Sequence, residues 1–292
     1  RDHNGHETRE NNHPVIRGAE GVARKAFLIT TVSEEHGEVT KRHVLPDFSW
    51  KTTYVQNGSD PRQWHSELLN AAIAAKGFDA ITGDDLFKIG QEQKKKLNIW
   101  LAGHQSQEGV PYKTFTDMDR PLFGALRRLV EYKEQGIFIA MVHWITGDAD
   151  KLYDTPWGKQ YGLAANFLIG GPVSDERGWD WANVYRSLQN DPALQGKLVF
   201  IDRTGTEIMR LATSACDFWV ESPRPTREAS GTSHQRAMLN GRLPLASYTG
   251  GQLSVVRHRI NGWLIDVFKT EGFSKLFDEV ADALDSPSHP RY

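Results

Sequence analysis

A single cysteine, Cys216, in 292 residues excludes an intramolecular disulfide framework. It lies in the apolar run Cys216-Asp217-Phe218-Trp219-Val220, where it reads as a small core residue rather than a nucleophile. An excess of one charge is also lacking. With 35 Lys and Arg against 37 Asp and Glu the net charge is −2, which gives no electrostatic ground for nucleic acid or an anionic membrane as partner. No apolar run is long enough to span a bilayer, and Arg1-Asp2-His3-Asn4-Gly5-His6 lacks the basic-then-apolar order of a signal peptide. A cytoplasmic protein is therefore expected. His3, His6 and His13 fit no standard ligand spacing and no cysteine joins them, so no metal is expected and the first 14 residues read as a solvated arm.

Hydrophobic residues make up 39% of the chain, enough for one good core and a second, smaller one. Nine tryptophans supply flat apolar faces, read mainly as core, although such faces also suit sugar rings. From Pro121 onward strands and helices alternate. Strands are predicted at 122–126, 166–169, 198–201, 217–220 and 244–247, with helices at 137–145, 179–188, 207–214 and from Ser233 between them. That rhythm predicts an α/β fold: a Rossmann-like parallel sheet with helices on both faces. Upstream, a helix at 19–25 and strands at 26–32 and 51–55 flank Ser33-Glu34-Glu35-His36, a capped helix start, and Asn57-Gly58-Ser59-Asp60-Pro61 follows. Thr82 opens a helix to about Leu101, on which Lys94-Lys95-Lys96 reads as a solvated face. Residues 103–119 read as a linker and 273–284 as an amphipathic closing helix. The expected division is a partial first lobe with linker over 1–120 and a ligand-binding domain over 121–292.

The chain is organised around Glu228-Ala229-Ser230-Gly231-Thr232-Ser233-His234-Gln235-Arg236, with Thr249-Gly250-Gly251 after the next strand. Small residues let a ligand approach the backbone, and the N–H groups at the start of the following helix favour an anion. The same residues would also simply cap that helix. Pro223 and Pro225 end the preceding strand, so the turn falls at a strand's carboxyl end, where open α/β sheets bind ligands. Glu228 is the carboxylate available to hydroxyl groups carried by such an anion.

Residues 216–241 resemble the α-glucan phosphorylases, whose Glu-Ala-Ser-Gly-Thr run contacts glucose and precedes the lysine that holds pyridoxal phosphate. Arg236 stands at that lysine's position, and a guanidinium forms no Schiff base, so pyridoxal phosphate is not expected. Residues 243–266, with Tyr248-Thr249-Gly250-Gly251 and Asn261-Gly262-Trp263-Leu264, are similar to glycogen and starch synthases. Both families share the two-lobed GT-B fold, so the resemblance implies its C-terminal lobe plus part of the N-terminal lobe. In Arg127-Arg128-Leu129-Val130-Glu131-Tyr132-Lys133, the resemblance puts Arg128 and Lys133 on the transferred phosphate, where fixed cations stabilise charge on the leaving group.

The resemblance likewise implies that Glu228 orients the sugar, with backbone N–H groups around Ser230, Gly231 and Thr232 assisting. Arg236 would bind phosphate or ribose hydroxyls, and Thr249, Gly250 and Gly251 would cradle a diphosphate. The expected activity is that of a retaining glycosyltransferase moving glucose from a nucleotide-sugar donor to a glucan or small sugar acceptor, without a metal or covalent cofactor. Two other readings stand beside it: a non-catalytic sugar- or nucleotide-binding subunit, and a phosphorylase relative without the cofactor lysine. A homo-oligomer or a partner chain would supply the missing lobe, and the initial Arg1 suggests a fragment or processed chain.

Overall fold

The computed structural model describes residues 9–10, 13–14, 18–146, 165–173, 176–266 and 279–280. A short antiparallel ribbon, β1 (Arg9–Glu10) with β2 (His13–Pro14), precedes α1 (Gly18–Lys25). Strand β3 (Ile29–Thr31) pairs in parallel with β4 (Thr52–Tyr54). Between them lies α2 (Glu34–Val39), capped by Ser33, whose Oγ accepts the His36 N–H at 3.1 Å. Helices α3 (Pro61–Trp64), α4 (Glu67–Lys76) and α5 (Gly83–Ala102) follow, the last opened by a reciprocal Thr82–Asp85 capping box.

The main sheet alternates with helices as the sequence predicts: β5 (Leu122–Leu126), α6 (Gln135–Thr146), β6 (Asn166–Gly170), α7 (Glu176–Asn190), β7 (Leu198–Ile201) and α8 (Thr206–Ala215). Then come β8 (Phe218–Glu221), α9 (Ser233–Met238), β9 (Leu243–Ser247), α10 (Gln252–Val255) and β10 (Trp263–Ile265). The six strands run parallel in the spatial order β10-β9-β8-β5-β6-β7, a doubly wound Rossmann-like arrangement whose winding reverses between β5 and β8. The predicted helix at 273–284 falls mostly outside the described residues.

Successive strand residues face opposite sides of the sheet, so each face carries its own core. On one face Phe123 of β5 stacks on Phe167 of β6 at 5.7 Å and on Phe218 of β8 at 4.7 Å, with Phe138 and Tyr185 covering them. On the other, Leu122, Leu126, Trp219 and Ile208 meet Leu97 and Leu101 of α5 and Tyr112 and Phe115 of the loop behind it. Residues 83–119, which the sequence groups with the first segment, thus share the core of the main sheet.

Lys94 corrects the sequence reading directly. It is not on a solvated face but 2% exposed, with Nζ 2.5 Å from Asp217 Oδ2 and donating to the Arg120 carbonyl at 3.0 Å. A helix face that packs on a sheet must bury whatever residues fall on it, and here the buried charge meets its counter-ion.

The end of β6 shapes the neighbouring site. Gly171 has φ +141°, and a Cβ there would collide with the Arg127 backbone. Without it, Arg127 donates its N–H to the Gly170 carbonyl at 2.8 Å and Leu129 to Pro172 at 3.1 Å, continuing the β5 line past its end.

Candidate functional site at the reversal of the sheet

The carboxyl ends of β5 and β8 lie side by side where the winding reverses, and they deliver Arg127 and Glu221 to one place. Arg127 Nη2 donates to Ser222 Oγ at 2.9 Å, while its Nε and Nη1 are shielded from solvent and have no hydrogen-bond partner among the described residues. Burial lowers its pKa, opposed by the nearby carboxylates of Glu221, Glu228 and Glu134. A buried cation with two idle donors suits an anionic ligand. The turn after β5 also carries Lys133, whose ammonium bonds directly to the Glu228 carboxylate; both side chains are largely buried, at 15% and 11% exposure. This pair joins two groups that the sequence places 95 positions apart.

The start of α9 is not open. Glu221 Oε1 accepts the Ser233 hydroxyl and the His234 N–H, the latter at 3.1 Å, and Oε2 lies 2.8 Å from His234 Nδ1. The expectation of a ligand anion on the N–H groups of this helix is corrected: an internal carboxylate already takes that place. Gly231 allows it, since a Cβ there would lie 3.2 Å from Glu221 Oε2. Burial pushes the Glu221 pKa up, but His234, Lys133 and the Ser233 hydroxyl together outweigh it and hold the carboxylate below its ordinary range. His234 is fully buried, and its Nε2 has no partner among the described residues.

Thr249, Gly250 and Gly251 are buried behind β9, and the first two are also occupied. Glu35 of α2 accepts the Thr249 hydroxyl at 2.8 Å and the Gly250 N–H. A diphosphate cradle formed by Thr249 and Gly250 is therefore corrected as well, because both donors are spent on a carboxylate. Beside them Gln56 Nε2 donates to Ser230 Oγ at 3.4 Å, and Gln252 is fully buried. Gln56 Oε1 and both amide atoms of Gln252 have no partner among the described residues.

Arg236 lies with its guanidinium 3.8 Å from the centre of the Trp64 ring and donates Nη2 to Thr232 Oγ1 at 3.0 Å. Its Nε is buried with no partner among the described residues, and burial lowers its pKa, opposed by Glu221. Arg128 is not brought into this group. It is exposed, and among the described residues its guanidinium reaches Tyr132, Nη2 donating to the phenol oxygen at 3.2 Å.

Two poles result. Arg127, Lys133 and Arg236 form a cationic one; Glu35, Glu228, Gln56 and Gln252 form one of carboxylates and amides. Sequence reasoning named Lys133, Glu228, Ser230 and Arg236 but passed over Arg127, Glu221, Glu35, Gln56, Gln252, His234 and Trp64. Glu221 carried a signal, an acid ending an apolar strand at a ligand-binding sheet edge. Glu35 carried none, because its partner lies 215 positions away. Among the described residues no cluster of three or more His, Cys, Asp or Glu could hold a metal ion, and no helix is long and apolar enough to cross a membrane.

Fold and site together define a Rossmann-order α/β protein with a cationic and an acidic pole at the reversal of its sheet. A scan against models of known protein families finds no match. Among curated proteins, the chain is similar to the liver form of human glycogen phosphorylase, at 25% identity over 79% of this chain and 30% of that protein. It is similar to the maltodextrin phosphorylase of Thermococcus litoralis, at 26% over 83% of this chain and 31% of that protein. The glycogen phosphorylase of Aquifex aeolicus is 23% identical over 85% of this chain and 39% of that protein. The chain thus spans about a third of the length of the curated relatives it matches.

These similarities, with the parallel sheet, support the GT-B resemblance on its phosphorylase side. They overturn the expectation of a nucleotide-sugar glycosyltransferase, since the relatives are phosphorylases. The glycogen-synthase likeness gains no specific support.

Proposed function

We propose that this chain is a phosphorylase relative whose site binds a glucosyl unit together with a phosphate group, for transfer of the glucosyl between phosphate and a glucan. The observation that carries the reading is the Lys133–Glu228 pair beside the buried donors of Arg127. A glucosyl phosphate would part that pair, its phosphate taking Lys133 and Arg127 and a sugar hydroxyl donating to Glu228. The two cations would stabilise charge that develops on the phosphate as the bond to the sugar breaks, and fixed orientation of the sugar would supply the rest. In this reading backbone N–H groups around Ser230, Gly231 and Thr232 would assist in holding the sugar.

The resemblance implies pyridoxal phosphate, and the residues here do not fit it as a Schiff base. The position offers a guanidinium laid on Trp64 instead of an amine, and the neighbouring amine of Lys133 is held by Glu228. The reading is therefore of a site that works without that cofactor. Arg236 also favours a second reading, a glucosyl phosphate-binding subunit without turnover.

Titration calorimetry with glucose 1-phosphate and orthophosphate tests the site, and phosphate release from glucose 1-phosphate with a maltooligosaccharide separates the two readings. Lys133→Ala is expected to weaken both ligands about tenfold or more, and Glu228→Gln to weaken only the sugar-bearing one. A wild-type chain that binds neither ligand refutes the proposal.

A further inference from the structure

The contact between α2 and the Thr249–Gly250 turn joins the N-terminal segment to the turn that follows β9. Ser33, the cap of α2, donates Oγ to the Ala229 carbonyl at 2.5 Å, which fixes the helix start against the Glu228–Ser230 backbone. Two residues on, Glu35 Oε2 takes both the Thr249 hydroxyl and the Gly250 N–H. The turn needs glycine for this: Gly250 has φ +61°, and a Cβ there would lie 2.7 Å from the Glu228 carbonyl oxygen. Among the described residues Glu35 Oε1 has no hydrogen-bond partner, so one carboxylate oxygen is spent on the turn and the other remains to accept.

Around this turn lie two amides, a hydroxyl and the side chain of Glu228. An added Cβ on Gly251 would meet Ser230 Oγ and come within 2.8 Å of Gln56 Nε2, and one on Gly250 would come within 3.2 Å of Gln252 Oε1. Glu35, Gln56, Ser230 and Gln252 thus place a carboxylate, two amides and a hydroxyl about the turn, while Arg127, Lys133 and Arg236 interact with Glu221, and Lys133 also holds Glu228. Amides and a carboxylate suit hydroxyl groups. For a second phosphate they offer repulsion and no counter-charge.

We propose that Glu35 is a specificity-determining residue: by occupying the Thr249–Gly250 turn it converts a diphosphate cradle into a hydroxyl acceptor, admitting a glucosyl monophosphate and rejecting a nucleoside diphosphate. The inference rests on the glucosyl phosphate reading of the same site. Its physical content is that a turn with a free N–H and hydroxyl is a donor to anions, and a carboxylate bound there inverts its sign.

The test is titration calorimetry of wild type, Glu35→Gln and Glu35→Ala with uridine diphosphate, adenosine diphosphate and glucose 1-phosphate, with thermal unfolding run on each variant. Glu35→Gln keeps the side chain's size and is the control should Glu35→Ala fail to fold. The expected result is a gain of about tenfold or more in affinity for at least one nucleoside diphosphate in either variant, with a loss of similar size for glucose 1-phosphate. Diphosphate affinities within about twofold of wild type in both folded variants overturn the inference. The gain for diphosphate is read independently of glucose 1-phosphate. A wild type that ignores glucose 1-phosphate sinks the functional reading, whereas an unchanged diphosphate response sinks only the role of Glu35.

Discussion

Replacing Lys94 by methionine keeps the length of the side chain and removes its charge, leaving Asp217 buried without its nearest counter-ion. Both partners are nearly inaccessible, with side chains 3% and 5% exposed and 2.5 Å between charged atoms. Asp217 would keep the Leu122 N–H at 2.8 Å and Arg242 Nη1 at 3.8 Å. Breaking a buried pair by removing one partner costs about 3–5 kcal/mol. The remaining arginine contributes roughly 4 kcal/mol of gross attraction at an effective dielectric constant of about 20. The expected loss for Lys94→Met is therefore at the lower end, about 3 kcal/mol.

Adding Asp217→Asn to the same chain removes the stranded charge and keeps an acceptor for Leu122, so the double variant should recover part of the loss. Urea unfolding measures this as a shift of midpoint at constant slope. A loss under about 1 kcal/mol for Lys94→Met would mean that the pair is solvated and that α5 is not clamped to the sheet through it. Because Asp217 immediately precedes β8, whose far end carries Glu221, the variant should still bind glucose 1-phosphate as wild type does at temperatures where it is folded.

Arg127→Met is expected to leave stability within about 1 kcal/mol of wild type, since it removes a buried cation whose Nε and Nη1 have no partner among the described residues. The same change should weaken orthophosphate and glucose 1-phosphate about 10- to 100-fold, the size of a lost hydrogen bond to a charged group. Unchanged affinity would remove Arg127 from the site. Glu221 sets an acid limit. Its folded-state pKa is depressed, so its stabilisation is complete above the ordinary carboxylate value of 4.5 and is lost as pH falls below it. Thermal midpoints from about pH 6 to about pH 3 should fall less steeply in Glu221→Gln than in wild type, and equal slopes would refute the assignment.

Much of the main sheet was legible locally. Leu122–Leu126 and Leu198–Ile201 are short apolar runs bounded by turn residues, and both form strands over those bounds. Thr82 and Asp85 announce the start of α5, and small residues from Ser230 announce the turn before α9. These signals are readable because periodicity, caps and breakers act over one or two turns of chain. The same range explains what was misread. Arg127 and Arg128 are neighbours, and no local pattern says which one the end of β5 turns inward; the contact of Gly171 with the Arg127 backbone decides it. Lys94 looked like one lysine of a solvated triplet until α8 and β8 were packed against α5.

The sequence by itself therefore determined the alternation of strands and helices, the small-residue turn at a strand's carboxyl end and the presence of Lys133, Glu228 and Arg236 near it in type and order. Only the tertiary structure decided that β5 and β8 are neighbours, that Glu221 fills the start of α9 and that Glu35 closes the Thr249–Gly250 turn. Local order follows from backbone sterics and side-chain pattern within a few residues. Which charge meets which donor follows from the path of the whole chain, because an ion pair or hydrogen bond depends on distance in space and not on separation along the sequence.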